Sequence, residues 1–180
     1  MPVVSVFCKK GGVGKTTFLG YLAHYHSNKG EKVLVLSADD QNSIFKIFGA
    51  EKFVGERDDN YFEHLLAGEA QPNDIVFEAR PNMYIIKTLN TDRLSLTLTL
   101  RRPQETKLRQ LIDYFRRFFD YIFIDFPPSS SRLTEILLDL SDDILLVVGL
   151  DTLGLDGFIN TIQYFTDSDI DLGKVRYIVP

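Results

Sequence analysis

The 180-residue sequence has a single cysteine, Cys8, and only three histidines. One cysteine cannot close an intrachain disulfide, which points to a reducing, cytoplasmic setting. His24, His26 and His64 share no metal-ligand spacing with one another or with Cys8, so no zinc site is expected. No apolar run approaches the ~20 residues that span a bilayer, so no transmembrane segment is expected. The short run Pro2 to Phe7 gives way at once to two lysines and two glycines, the wrong order for a secretory leader. A positive charge balance is also missing. Lys and Arg number 20 against 25 Asp and Glu, a net charge of -5. That argues against a chain built mainly to coat nucleic acid, although a local patch can still do so.

Hydrophobic residues make up 44% of the chain, enough for a core in one domain over residues 1–180. Val3 to Phe7 reads as a buried strand ending at glycines, and Thr16 to Lys29 as a helix stopped by Gly30. Lys32 to Leu36 is a second strand, followed by a polar loop and a short helix around Ile44 to Phe48. Tyr61 to Leu66 reads as a short helix and Asn82 to Lys87 as a strand. Leu108, Leu111, Ile112, Phe115 and Phe119 recur at helical spacing over Gln104 to Phe118. Tyr121 to Ile124, Ile144 to Val148 and Val175 to Val179 are strands; Ser130 to Leu140 and Leu155 to Phe165 are helices. Leu94, Leu96, Leu98 and Leu100 alternate with Ser95, Thr97 and Thr99, which by period favours a strand, while the position before a helix and far from any partner strand leaves strand or helix open. Strands that are apolar throughout and alternate with helices predict an α/β fold: a doubly wound, mainly parallel sheet with helices on both faces.

Chemistry concentrates at the first strand–helix junction, Lys10-Gly11-Gly12-Val13-Gly14-Lys15-Thr16-Thr17. A phosphate-binding loop reads Gly, four residues, then Gly-Lys-Ser/Thr, and here only the first glycine is replaced, by Lys9. Three glycines let the backbone turn tightly and aim its N–H groups at phosphate oxygens, at the N-terminus of the following helix. Lys15 can reach the β- and γ-phosphates, the Thr16 hydroxyl can ligate Mg²⁺, and Thr17 is placed for the α-phosphate. The ligand expected is ATP with Mg²⁺. Asp125 ends a parallel strand, at the ligand edge of the sheet, and fits the second Mg²⁺ position. Pro127-Pro128-Ser129 follows it as a rigid turn that brings Pro127 to the nucleotide. Asp39 ends the second strand and is a candidate to hold a magnesium water or the attacking water; its neighbour Asp40 competes for that role.

The same segments resemble a known family. The loop at 10–17 resembles the deviant Walker A of the ParA/MinD superfamily of P-loop ATPases, closest to its ParA-type partition members. Leu36 to Gln41 resembles its switch I, and Asp120 to Ser129 its Walker B and switch II. Asp142 to Val148 followed by Leu155-Asp156-Gly157 is similar as well. The resemblance implies a slow, Mg²⁺-dependent ATPase that works as a homodimer when ATP-bound. Lys10 would reach across to the partner copy's phosphates, in the way an arginine finger neutralises developing charge. Two positions depart from the pattern: Ser37 stands where the family has an acid, and Asp40 where it has a proline. The base-contacting segment of the family would fall after Pro180, with its usual C-terminal helices.

The resemblance leaves three biological readings. One is a plasmid or chromosome partition switch, held on nonspecific DNA and released by a centromere-binding adaptor. The second is a MinD-like regulator at a membrane or cell pole, and the third a P-loop metabolite synthetase. The Pro127-Pro128-Ser129 turn favours the first. So does a basic cluster of Arg101, Arg102, Lys107, Arg109, Arg116 and Arg117 against Glu105 and Asp113. Arg109, Arg116 and Arg117 lie off the apolar stripe of their helix, facing solvent or a partner.

Overall fold

A computed structural model describes residues 1–50 and 61–180. Its elements in chain order are β1 (Val3–Phe7), α1 (Lys15–Asn28), β2 (Val33–Ser37), α2 (Ser43–Ile47), α3 (Phe62–Ala67), α4 (Pro72–Ile75), β3 (Phe77–Arg80) and β4 (Met83–Ile86). Then follow α5 (Thr91–Leu100), α6 (Arg102–Phe115), β5 (Tyr121–Asp125), α7 (Arg132–Leu140), β6 (Asp143–Val147), α8 (Thr152–Asp167) and β7 (Val175–Val179). The seven strands form one sheet in the order β3-β4-β2-β5-β1-β6-β7. Every neighbouring pair is parallel except β3 with β4.

The two faces follow from the strand period of two. In β2, Leu34 and Leu36 join the layer under α3, α5, α6, α7 and α8, while Val33 and Val35 join the layer under α1 and α2. Strand β1 divides likewise, Val3 and Phe7 to one side and Val4 and Val6 to the other. Both faces are covered, so the central strands read as unbroken apolar runs. Each fully buried Leu, Ile or Phe in these layers stabilises by roughly 1.5–3 kcal/mol. Helix α6 is anchored by Leu108, Ile112 and Phe115, three of the stripe positions.

The segment 94–100 is a helix and not a strand. Asn90 caps α5 by accepting from the Arg93 amide, and Asp92 complements the positive helix end. Leu94 and Leu98, one turn apart, enter the core, while Leu96 and Leu100 stay outside. Thr97 and Thr99 return their hydroxyls to the carbonyls of Arg93 and Ser95, which removes the polar cost of the alternating threonines. Strand β3 and the short α4 carry too few residues to show a period. The β3–β4 hairpin turns at Pro81-Asn82, with Asn82 at φ 62.

Candidate nucleotide site

The carboxyl ends of β1, β2 and β5 meet at one edge of the sheet, where a parallel α/β fold places its ligands. Strand β1 delivers the chain into the loop 10–14. Gly12 (φ 74) and Gly14 (φ 90) are left-handed, a conformation a side chain would strain. Gly14 is also the N-cap of α1, so the first amides of the helix face the loop. Gly11, Gly12 and Gly14 are exposed, Val13 leans on the α1 layer, and Thr17 is exposed.

Lys15 is buried, and its Nζ donates to the Lys10 carbonyl at 2.9 Å. Burial holds its ammonium below the usual lysine range, against the opposing pull of Cys8, Asp125 and Asp39. Thr16 Oγ1 donates to Asp125 Oδ1 at 3.0 Å, which ties the start of α1 to the end of β5. Asp125 is 1% exposed, and its Oδ2 has no hydrogen-bond partner. Burial first, then the nearby Asp39 charge, pushes its carboxyl up to about 7, against the Thr16 bond and Lys15. A buried carboxylate oxygen without a donor calls for a cation. Thr16 and Asp125 therefore fit Mg²⁺. No group of three or more His, Cys, Asp or Glu among the described residues is placed to hold a metal unaided. An Mg²⁺ here would draw its remaining ligands from nucleotide phosphates and water, its usual preference.

The structure separates the two switch I acids. Asp40 faces α5: its amide donates to Thr91 Oγ1 at 3.2 Å, and its Oδ2 accepts from the Thr91 amide at 3.3 Å. Asp39 faces the site, where its charge is felt by both Lys15 and Asp125. Ser37 donates to the Asp39 carbonyl at 3.0 Å and Gln41 N to Asp39 Oδ1 at 3.0 Å, so the loop holds the carboxylate in place. Asp39→Ala should leave ATP binding intact and slow turnover by roughly 10²-fold, the lower range for a lost proton-handling or water-orienting group. Asp40→Ala should keep turnover and cost about 1 kcal/mol of stability, the loss of a capping contact. Steady-state phosphate release and thermal melts decide; wild-type turnover in Asp39→Ala would move the role to Asp40.

Lys10 does not enter its own loop. Its side chain runs over Gly157 of α8, where a Cβ would stand 2.9 Å from Lys10 Cβ, and its Nζ reaches Asp151 Oδ1 at 3.3 Å. Asp151 caps α8 and is 61% exposed. The Gly154 amide, and then Lys10, hold its carboxyl below the usual range. Asp151 was not legible as a site residue; its only sequence signal is a capping acid three residues before a glycine. Beside this contact, Lys9 donates its amide to Thr161 Oγ1 at 3.0 Å and sets its ammonium over the Tyr164 ring. Pro127 is buried, and it is the exposed Pro128 that stands next to Gly11.

A family model described as an AAA domain matches residues 1–172. The chain belongs to this AAA-domain family, in the ParA/MinD superfamily of P-loop ATPases. The sporulation initiation inhibitor protein Soj of Bacillus subtilis is 28% identical over 166 residues, covering 89% of this chain and 64% of Soj. The chain thus spans less than two thirds of that relative's length. A plasmid partition protein from Borrelia burgdorferi superposes with a TM-score of 0.79 at 21% identity, over 98% of this chain and 76% of that one. Cobyrinic acid a,c-diamide synthase from Mycobacterium smegmatis, with bound ATP analogue and magnesium, gives 0.77 at 22% identity, over 99% and 72%. At these identities the two structural likenesses establish the fold alone.

The basic cluster is only partly open on the surface. Arg109 pairs with Glu105 and Asp139, and Arg116 with Asp142 and with the carbonyls of Met1 and Leu140. These two lie off the apolar stripe, as their spacing requires, but they fasten α6 to its neighbours instead of facing an open surface. Arg101, Arg102 and Arg117 remain exposed and outside any ion pair among the described residues. No helix of the described residues is long and apolar enough to cross a membrane.

Proposed function

We propose that this chain is the nucleotide-binding core of an ATP-driven dimerising switch of the partition type. ATP and Mg²⁺ occupy the loop at 10–17, with Thr16 and Asp125 holding the metal and Lys15 the phosphates. When bound, Mg²⁺ screens the phosphate charge and polarises the bond to be broken. Asp39 orients the water, and the buried position of Lys15 keeps its contact short of competing solvent. Lys10 of a second copy completes the charge at the γ-phosphate.

The direction of Lys10 carries this reading. A lysine that served its own phosphates would fold into its own loop; this one leaves it and ends, one salt bridge from release, at an exposed acid. An exposed pair of this kind is screened by solvent and weak, so a phosphate competes with it easily. The plasmid partition name of the Borrelia burgdorferi neighbour supports the partition reading, to which a nonspecific DNA surface, a centromere-binding adaptor and a nucleoid-associated cytoplasmic location would belong. In this reading the exposed Arg102 and Arg117 take part in the DNA contact.

Lys10→Ala should bind ATP within about threefold of wild type and form no ATP-dependent dimer by light scattering, because its charge acts only across the interface. A variant that still dimerises sinks the trans-lysine idea. DNA retention by the ATP form should fall steeply between about 50 and 200 mM salt as counterions are released. Retention indifferent to salt, or absent at low salt, counts against the DNA surface and leaves the dimer standing.

A further inference from the structure

Helix α5 carries apolar side chains that the core does not take. Leu96 is 58% exposed, Leu100 72% and Leu89, just before the helix, 45%. They line a groove of about 560 Å³ between α5 and α3. Its α5 lip is basic: Arg93 and Arg101 are exposed, and neither is in an ion pair among the described residues. Across the groove, the Glu63 carboxylate is already engaged by the amides of Leu89 and Asn90, at 2.8 to 3.1 Å. That leaves Glu69 as the exposed acid of the α3 lip. The side-chain oxygen of Gln104, also at the groove, is buried without a hydrogen-bond partner.

The same helix touches both sides of the nucleotide site. At its N-terminal end Thr91 bonds Asp40 and the Ala38 carbonyl, next to Asp39. One turn on, Ser95 Oγ accepts from the Arg132 amide at 2.9 Å, where the segment after Asp125 enters α7. A shift of α5 must therefore move the Asp39 loop and the Asp125 loop together.

We propose that the α3–α5 groove docks an acidic amphipathic helix of a partner protein, and that occupancy is passed to the nucleotide site through α5. The second half rests on the ATPase reading above; the first does not. Leu96 and Leu100 stand one turn apart, the spacing at which a helix presents its own apolar anchors. Arg93 and Arg101 stand about 12 Å apart along α5, so acids two turns apart on the incoming helix meet both. The exposed acid of the opposite lip, Glu69, confines those acids to the α5 side and so fixes which face of the incoming helix meets α5.

The test uses the nucleotide-free full chain and two synthetic helical peptides of about five turns. Both carry leucines at i, i+3 and i+7; one has glutamates two turns apart, the other lysines at the same places. Fluorescence anisotropy at low salt should give a dissociation constant below about 100 µM for the acidic peptide, and at least tenfold weaker binding for the basic one. Leu96→Glu should abolish binding. Arg93→Glu with Arg101→Glu should reverse the preference between peptides. These positions are exposed, and unchanged thermal melts check that each variant folds. Equal affinity for both peptides, or a preference that survives the charge reversal, overturns the docking. So does a duplex DNA that binds and displaces the acidic peptide, which would assign the lip to nucleic acid.

Turnover measured with saturating peptide tests the relay. Wild type should change at least twofold and Ser95→Ala, which still binds the peptide, should not respond. A wild-type rate that ignores the bound peptide overturns the relay. Absence of any ATP hydrolysis sinks the ATPase reading instead and leaves the docking result untouched.

Discussion

Lys15→Ala should raise the dissociation constant for ATP by roughly 100-fold, about 2.7 kcal/mol, in the upper range for a hydrogen bond made by a charged group. The reason lies in where the ammonium sits. It is buried, its burial cost is only partly offset by Asp125 and Asp39, and it is parked on the Lys10 carbonyl. No other cation of the described residues lies inside the loop, since Lys10 runs out to Asp151 and Lys9 lies over Tyr164. Removing a buried charge whose partners are imperfect does not by itself unfold a protein. The variant should melt close to wild type while calorimetry with ATP and Mg²⁺ shows the loss. An affinity within about threefold of wild type would remove Lys15 from the site.

The second large effect is a pH dependence centred on Asp125. Its carboxyl holds a proton up to about 7 in the folded chain, against a usual value of 3.8. The folded state therefore binds this proton more tightly than the unfolded state. The stability it contributes is full below about pH 4 and is lost as pH rises through 7. Magnesium competes for the same oxygen and needs the carboxylate. Its affinity in the presence of ATP should rise roughly tenfold per pH unit up to about 7 and then level off. Asp125→Asn should flatten both curves: a nucleotide-free melting temperature that no longer falls between pH 5 and 8, and no magnesium-dependent turnover at any pH. A wild-type magnesium affinity that is flat from pH 5.5 to 8 would show that Asp125 is ionised throughout, and with it that Oδ2 has a partner in solution.

Much of this site could be read from residue order because it is built from local signals. Gly12 and Gly14 sit where the backbone is left-handed, and Lys15 and Thr16 open the helix that those glycines precede. Asp125 follows an unbroken apolar strand, and such a position faces the ligand edge in any parallel sheet. Features that depend on two distant segments were not legible. Nothing local told Asp39 from Asp40; Thr91, 51 residues away, does so by taking Asp40. Nothing local marked Asp151, which matters only because Lys10 crosses Gly157 to reach it.

The leucines at 94–100 misled for a different reason. An alternating pattern predicts a strand when one face is buried, yet here the core takes Leu94 and Leu98 and declines Leu96 and Leu100. Two leucines left in solvent produced the alternation. Their presence outside the core is the same fact that makes the α5 groove apolar. The basic cluster misled similarly: charge spacing showed which arginines leave the stripe, but not that Asp139 and Asp142 of the next helix–strand unit wait for them.

The strand order has a consequence for how the protein comes into being. Strand β1 lies between β5 and β6, with Val3 beside Ile122 and Val4 beside both Phe123 and Asp143. The β1 residues thus have no sheet partner until more than a hundred others have followed. At about 5–20 residues per second, synthesis takes on the order of ten seconds to deliver them. Pairings of such long sequence separation also close slowly. During that interval β2 can pair with β4, but Lys10 to Thr17 have no frame. A ribosome stalled before β5 would hold a nascent chain with its glycine loop complete and no grip on a nucleotide, so ATP cannot assist the early stages of its own binder's folding.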